Sequence, residues 1–295
     1  MFNTMDEYLE ALKNEMRGSD SALLQDALAD AREHLSTALA VAREQNAELK
    51  ESDALKTIVE EYGSPEETAS AYKEVERRTS PSLKPTSKSQ SWIIRFFGVY
   101  ADARAWGALL YMLIAFVTGV FYFTWAVTGL SLSVSFAIFI FGLPFALLFL
   151  LSVRGLALLE GRLVEALLGE RMPRRPLFSH HGMKWFDRLK ALLTDKATWL
   201  MLVYMVVQFV LGIVYFVVLV MMLSISLSLI AIPFLQEFLD QGAIMMNNGI
   251  RYILPVWTYP FLIFAGFLLW TIFMNIARGV GHLHGRFAKW LLVSE

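Results

Sequence analysis

No Asp, Glu, Lys or Arg interrupts the chain from Ala105 to Val153, or again from Ala197 to Gln236. A helix crosses the hydrocarbon core of a bilayer with about 20 apolar residues. The first run therefore holds two crossings and a tight turn, read as spans at 105–127 and 131–153. The second run holds one span, at 198–222, and the stretch 253–277 supplies a fourth. With 56% hydrophobic and 18% charged residues, the 295-residue chain is too apolar for an ordinary soluble protein. It reads as all-α: a small helical N-terminal domain in the cytoplasm, then a four-helix transmembrane module.

The opening "MFNTMDEYLEALKNEMRG" is charged throughout and lacks the apolar segment of a signal peptide. There is no cysteine, so disulfide and thiolate chemistry are excluded. Charge is divided unevenly. Residues 1–79 carry 18 acids and 9 bases, whereas the remainder carries 9 acids and 17 bases, mostly at span borders. An acidic N-terminal module precedes a basic membrane module.

Within residues 1–79, Tyr8, Leu9, Leu12 and Met16 fall at helical spacing. "GSD" at 18–20 breaks that helix, and Ser19 or Asp20 can cap the next, whose apolar stripe runs from Leu23 to Leu39. A third helix is expected from Ser52 to Tyr62. "GSPEE" then supplies a stop at Gly63, a cap at Ser64, Pro65 in the first turn and Glu67 at the capping-box position. A fourth helix should run through Val75. "SPSLKPTSKSQS", residues 80–91, reads as a flexible linker and a domain boundary.

The membrane module contains an internal repeat. Shifted by 93 residues, Trp92, Arg95, Asp102, Trp106, Tyr111 and Gly119 fall on Trp185, Arg188, Asp195, Trp199, Tyr204 and Gly212. In all, 17 of 44 positions are identical, which shared apolar composition does not explain. A second match, "RGLALLEGRLVEALLG" from Arg154 with "RGVGHLHGRFAKWLLV" from Arg278, needs a shift of 124. The second copy thus carries an insertion, placed at about 229–256, between its two spans. The repeats read as 92–176 and 177–295, each an amphipathic leading helix, two spans and an amphipathic exit helix at the interface. Two spans return the chain to its starting side, so the expectation is two parallel repeats in one orientation. Nine Lys and Arg lie from Arg154 to Lys196, against Arg251 alone in the outer connections. Both termini and the middle segment are therefore expected in the cytoplasm, in the inner membrane.

In the exit helices, Leu156, Leu159, Leu163 and Leu167 form a stripe with Arg154, Arg162 and Glu165 away from it. One reading lays these helices in the interface, where Arg154, Arg162, Arg174, Arg175, Arg278 and Arg286 meet lipid phosphates. The other packs them together to relay a signal, using the small pairs Ala157/Gly161 and Gly281/Gly285. Tyr122, Trp125, Tyr215, Trp257 and Tyr259 form an aromatic belt or line an apolar-ligand slot. His282 and His284 point to different helix faces, no HExxH accompanies them, and Glu160 aligns with His284, so no metal site is expected. No nucleotide, nucleophile-elbow or kinase motif occurs, and no acid or base falls inside these spans. That argues against an enzyme, a cofactor and ion-coupled transport.

"YLEALKNEM" and "SDALKTIVEEYGSPEETASAY" resemble the HAAS domain, a helical signalling domain associated with helix-turn-helix regulators, over residues 4–78. "NAELKESD" departs from its usual Gly-rich turn. "VRGLALLEGRLVEALLGERMPRRP" and "RLKALLTDKATWLMLVYMVVQFVLGIVYF" resemble the putative-sensor family of four-span modules. Together these resemblances imply a membrane signal-transduction component with a PadR-like regulator as partner. The function expected is a non-enzymatic sensor that touches lipid and does not itself bind nucleic acid, with a homo-oligomer left open. A permease-like or lipid-handling protein and a membrane scaffold stay open as alternatives.

Overall fold

Three of the four helix starts in the first 79 residues bring a side chain to the orphan backbone amides, and the third helix, with Lys50 at its N-cap, begins without one. In the computed structural model, which describes residues 2–46, 50–79, 92–136, 142–174, 185–239, 244–245 and 251–293, α1 (Met5–Glu15) is capped by Thr4 and α2 (Ser21–Gln45) by Asp20. α3 covers Glu51–Tyr62 and α4 covers Pro65–Thr79. Ser64 and Glu67 form the reciprocal capping box, with Ser64 N donating to Glu67 Oε2 at 2.8 Å and Glu67 N to Ser64 Oγ at 3.2 Å. These bonds favour the charged form and hold the Glu67 carboxyl below its ordinary pKa. The box therefore stabilises the domain above that pKa range and is lost as the pH falls through it. Tyr8, Leu12, Met16, Leu35 and Leu55 are fully buried in the core these helices share. The Tyr8 hydroxyl donates to Gly63 O at 2.9 Å, pinning the turn, where φ is +108° and a side chain would be strained.

The remainder is helical: α5 (Trp92–Phe97), α6 (Ala103–Phe136), α7 (Gly142–Leu168), α8 (Trp185–Thr194), α9 (Lys196–Leu239) and α10 (Tyr259–Leu292). Among the described residues the one strand pairing is the short antiparallel ladder of Ile244–Met245 with Arg251–Tyr252. Four helices, α6, α7, α9 and α10, are long and apolar enough to cross a membrane. This is an all-α membrane protein. The linker 80–91 and the turn between α6 and α7 lie outside the described residues.

Span boundaries differ from the sequence reading in three places. α6 passes through Thr128–Leu130, where a turn was expected, and ends at Phe136. Ser133 Oγ donates to Gly129 O at 2.7 Å, the internal satisfaction that lets such residues stay helical in lipid. Gly129 is there for packing: a Cβ on it would lie 2.1 Å from the Phe149 ring. The exit segments are not separate interfacial helices, since α7 runs unbroken through Leu168 and α10 through Leu292. α9 continues well past residue 222, through Pro233, and absorbs the start of the expected insertion. The insertion's far end is clamped to it by Gln236, which donates to Leu254 O at 2.8 Å and accepts from Leu254 N at 2.9 Å.

The chain forms two compact units, one of Met1–Lys84, Tyr122–Val206 and Gly285–Glu295, the other of Pro85–Phe121 and Val207–His284. In the first, the end of α6 runs antiparallel to α7, with Trp125 Nε1 donating to Ser152 Oγ at 2.9 Å. In the second, α6 and α9 run in opposite directions. A Cβ on Gly119 would lie 2.7 Å from Gln208 O, and one on Gly212 would lie 2.3 Å from Ala115 O. Further along, Leu109 and Met112 share a core with Tyr215 and Leu219. The parallel arrangement read from the repeat is thus not what these contacts show. Helices of 34 and 44 residues are about 51 and 66 Å long at about 1.5 Å per residue, against roughly 30 Å of hydrocarbon. Counting 20-residue crossings does not fix their direction.

The close approach at Gly129 is testable. Gly129→Ala forces a methyl into the Phe149 ring, and we expect it to lower stability in detergent by about 1–3 kcal/mol. Phe149→Leu should recover part of that loss in the double variant. Equal melting temperatures for Gly129→Ala and the wild type would show that the ring yields freely.

Candidate functional site: the Arg171 strap and the buried ionisable groups

α7 stops at Gly169, whose φ of +74° is the left-handed conformation that lets a chain leave a helix and turn back. Glu170, Arg171 and Met172 form the strap that follows. Met172 is fully buried, and its Cβ would be 3.4 Å from a Cβ on Gly161. The Glu170 Cγ would be 2.5 Å from a Cβ on Gly285. The small residues on α7 and on the last turns of α10 therefore face this strap. In that respect the expectation of direct exit-helix packing through Gly161 and Gly285 is corrected; Ala157 and Gly281 are buried.

Between Glu170 and Met172, Arg171 enters the N-terminal domain. Its Nη2 donates to Asp26 Oδ2 at 3.0 Å and its Nε lies 3.0 Å from both carboxylate oxygens of Glu76. The Arg171 and Asp26 side chains are each 8% exposed, so this is a desolvated ion pair and not a surface one. Asp26 Oδ1 also accepts from the backbone N of Arg174 at 2.7 Å, and Arg174 Nη2 donates to Glu165 at 2.9 Å. Lys289, near the end of α10, donates to Asp20. The acidic domain is thereby tied to the membrane helices by their own basic residues.

Deeper along the helices lies a second kind of site. Glu160 on α7 is fully buried, and its carboxylate accepts from Tyr204 OH at 3.0 Å and Tyr122 OH at 3.1 Å. His284 on α10, also buried, has Tyr111 OH 2.6 Å from Nε2 and Tyr215 OH 3.1 Å from Nδ1. Gln208 Nε2 donates to Tyr111 OH at 3.1 Å. Each ionisable group takes one tyrosine from α6 and one from α9. The positions are those that align in the sequence, Tyr111 with Tyr204, Tyr122 with Tyr215 and Glu160 with His284. Arginines follow the same scheme: Arg154 pairs with Asp195 and Arg278 Nη1 with Asp102 at 3.1 Å.

Several expectations change accordingly. Arg154 is buried on the face of Ala157, Glu160 and Val164, not turned to lipid phosphate. The Asp195 carboxylate and the Thr198 hydroxyl draw its guanidinium inward. Arg278 is likewise engaged with Asp102 and Asn275. Arg162 and Arg286 are exposed, and Arg175 lies outside the described residues. Tyr122 and Tyr215 belong to the buried sites and not to an aromatic belt. Trp257 is 70% exposed, and Tyr259 accepts from Gln236 at 2.7 Å. Helices α7 and α10 extend beyond the drawn spans, which brings Glu160 and His284 into apolar helices read as free of acids and bases. No group of three or more His, Cys, Asp or Glu able to hold a metal occurs among the described residues.

The family described as "Putative sensor" matches residues 111–292. The chain belongs to this family. No curated protein and no solved structure matches it. The matched range contains both tyrosine-lined sites and the strap, so these are features of the sensor module itself.

Glu160→Leu removes the acceptor of two buried hydroxyls, and at about 1–3 kcal/mol each we expect a stability loss of roughly 2–6 kcal/mol. Making Tyr122 and Tyr204 phenylalanine in the same variant should restore most of it, because no donor is then stranded. Thermal unfolding in detergent reads both. An unchanged melting temperature for Glu160→Leu would mean that these bonds contribute nothing.

Proposed function

We propose that this protein is a non-enzymatic sensor of the cytoplasmic membrane that passes a change in its helices to a cytoplasmic regulator through residues 1–79. One observation carries the reading: Glu170–Met172 lies against α7 and α10 on one side and is inserted into the N-terminal domain by Arg171 on the other. A shift of either helix moves the strap, and the strap holds the domain. The stimulus fits lipid state or an apolar ligand, since only 11% of the most apolar stretch of α9 is buried against protein, which leaves the rest of that apolar surface open to either. The HAAS-like sequence of residues 4–78, folded as four helices around one core, supports a protein-binding role, with a PadR-like helix-turn-helix regulator as partner. The aligned sites support reading the membrane part as a duplication.

The bonds of Asp26 to Arg171 and of Asp20 to Lys289 tie the N-terminal domain to the segment after α7 and to the last turns of α10. A cytoplasmic place for this assembly is our reading, and the basic Arg162, Arg171 and Arg174 beside the domain support it.

Full-length protein purified from native membranes should bring down a signalling or transcription regulator that a version lacking residues 1–79 does not. If the two preparations retain the same proteins, the relay has no output. Orientation has its own check, because the chain has no cysteine. Single cysteines at Arg175 and Ser294 should react with an impermeant maleimide only after lysis, and one at Asn248 should react in intact spheroplasts. Labelling of all three from outside would overturn the assigned sidedness.

A further inference from the structure

We propose that the cleft between Asp26 on α2 and Glu76 on α4 is a receptor for an arginine-led basic segment of another protein, filled in this state by the chain's own Arg171. The inference rests on the relay above and names the surface that would meet the partner. Its chemistry is specific. Glu76 presents both carboxylate oxygens to a guanidinium Nε, and Asp26 takes the Nη2 of the same group. The second Asp26 oxygen accepts the backbone N–H of the residue three positions on, at 2.7 Å. The cleft therefore reads an arginine together with the backbone three residues on, here "RMPR", in which Pro173 cannot donate and restricts the backbone. A lysine supplies a point charge without the planar fork, so it is a poor substitute. A desolvated arginine seated between two carboxylates from separate helices has the make-up of an interface anchor.

Tethering gives Arg171 an effective concentration of roughly millimolar order, so a partner in trans competes against it. Movement of α7 or α10 that pulls Glu170 and Met172 would withdraw the competitor and open the cleft. The signal and the partner's binding would then be one equilibrium.

The experiment uses the full chain in nanodiscs and a labelled peptide, acetyl-GERMPRRP-amide, followed by fluorescence anisotropy. Arg171→Ala should bind the peptide about tenfold tighter than the wild type or better, since the tethered competitor is gone. Adding Asp26→Asn to that variant should abolish the gain, and a peptide with alanine for its first arginine should not bind. Equal binding by the wild type and Arg171→Ala, or gain that survives Asp26→Asn, would overturn the proposal. Should Arg171→Ala fail to fold, the wild type decides: saturating peptide should speed tryptic cleavage after Arg171, and an unchanged rate rejects the cleft. Peptide binding without capture of a regulator would leave the cleft standing and remove the relay. Capture without peptide binding would do the reverse.

Discussion

A carboxylate set among apolar helices has to be met by donors, because neither lipid nor leucine can replace the water it has left. That requirement organises the membrane part of this chain. Glu160 takes hydroxyls from Tyr122 and Tyr204, which fixes the height of α7 against both α6 and α9. His284 does the same for α10. Arg154 and Arg278 add ion pairs to Asp195 and Asp102. Glycines permit the approach: Gly119 and Gly212 bring α6 and α9 into backbone contact, with no room there for side chains. Register comes from the polar groups and closeness from the small ones.

The strap converts this packing into a cytoplasmic contact. Gly169 turns the chain back, Met172 fills the space over Gly161, and Arg171 reaches the N-terminal domain. With Glu170 against Gly285, the three consecutive residues thus face three different neighbours. The cost of burying Arg171 is met by two carboxylates, so its contact is sensitive to small displacements in a way that a screened surface pair is not.

Much of this was legible in the sequence, at different depths. Charge-free runs disclose the four apolar helices, and "GSPEE" discloses its capping box, because both are local patterns. Helix ends were less legible: Gly129 looks like a turn residue, yet its role is to admit Phe149, a neighbour 20 positions away. At the buried sites, the aligned Tyr111, Tyr204, Asp102 and Asp195 stood out as matched positions, but nothing local says what they bind. The exchange of Glu160 for His284 reads as a lost ligand, whereas both side chains are polar centres held by tyrosines. Arg171 was the least visible, since its partners Asp26 and Glu76 precede it by 145 and 95 residues.

The tyrosine-held carboxylate also bears on the order in which the protein is made. Glu160 leaves the ribosome with Tyr122 already ahead of it, but Tyr204 follows 44 residues later. At about 5–20 residues per second, that interval lasts roughly 2–9 s. During it, α6 and α7 form a pair whose central acid has only part of its final shell. The first half of the membrane module is therefore an unfinished object until α9 arrives with the second hydroxyl.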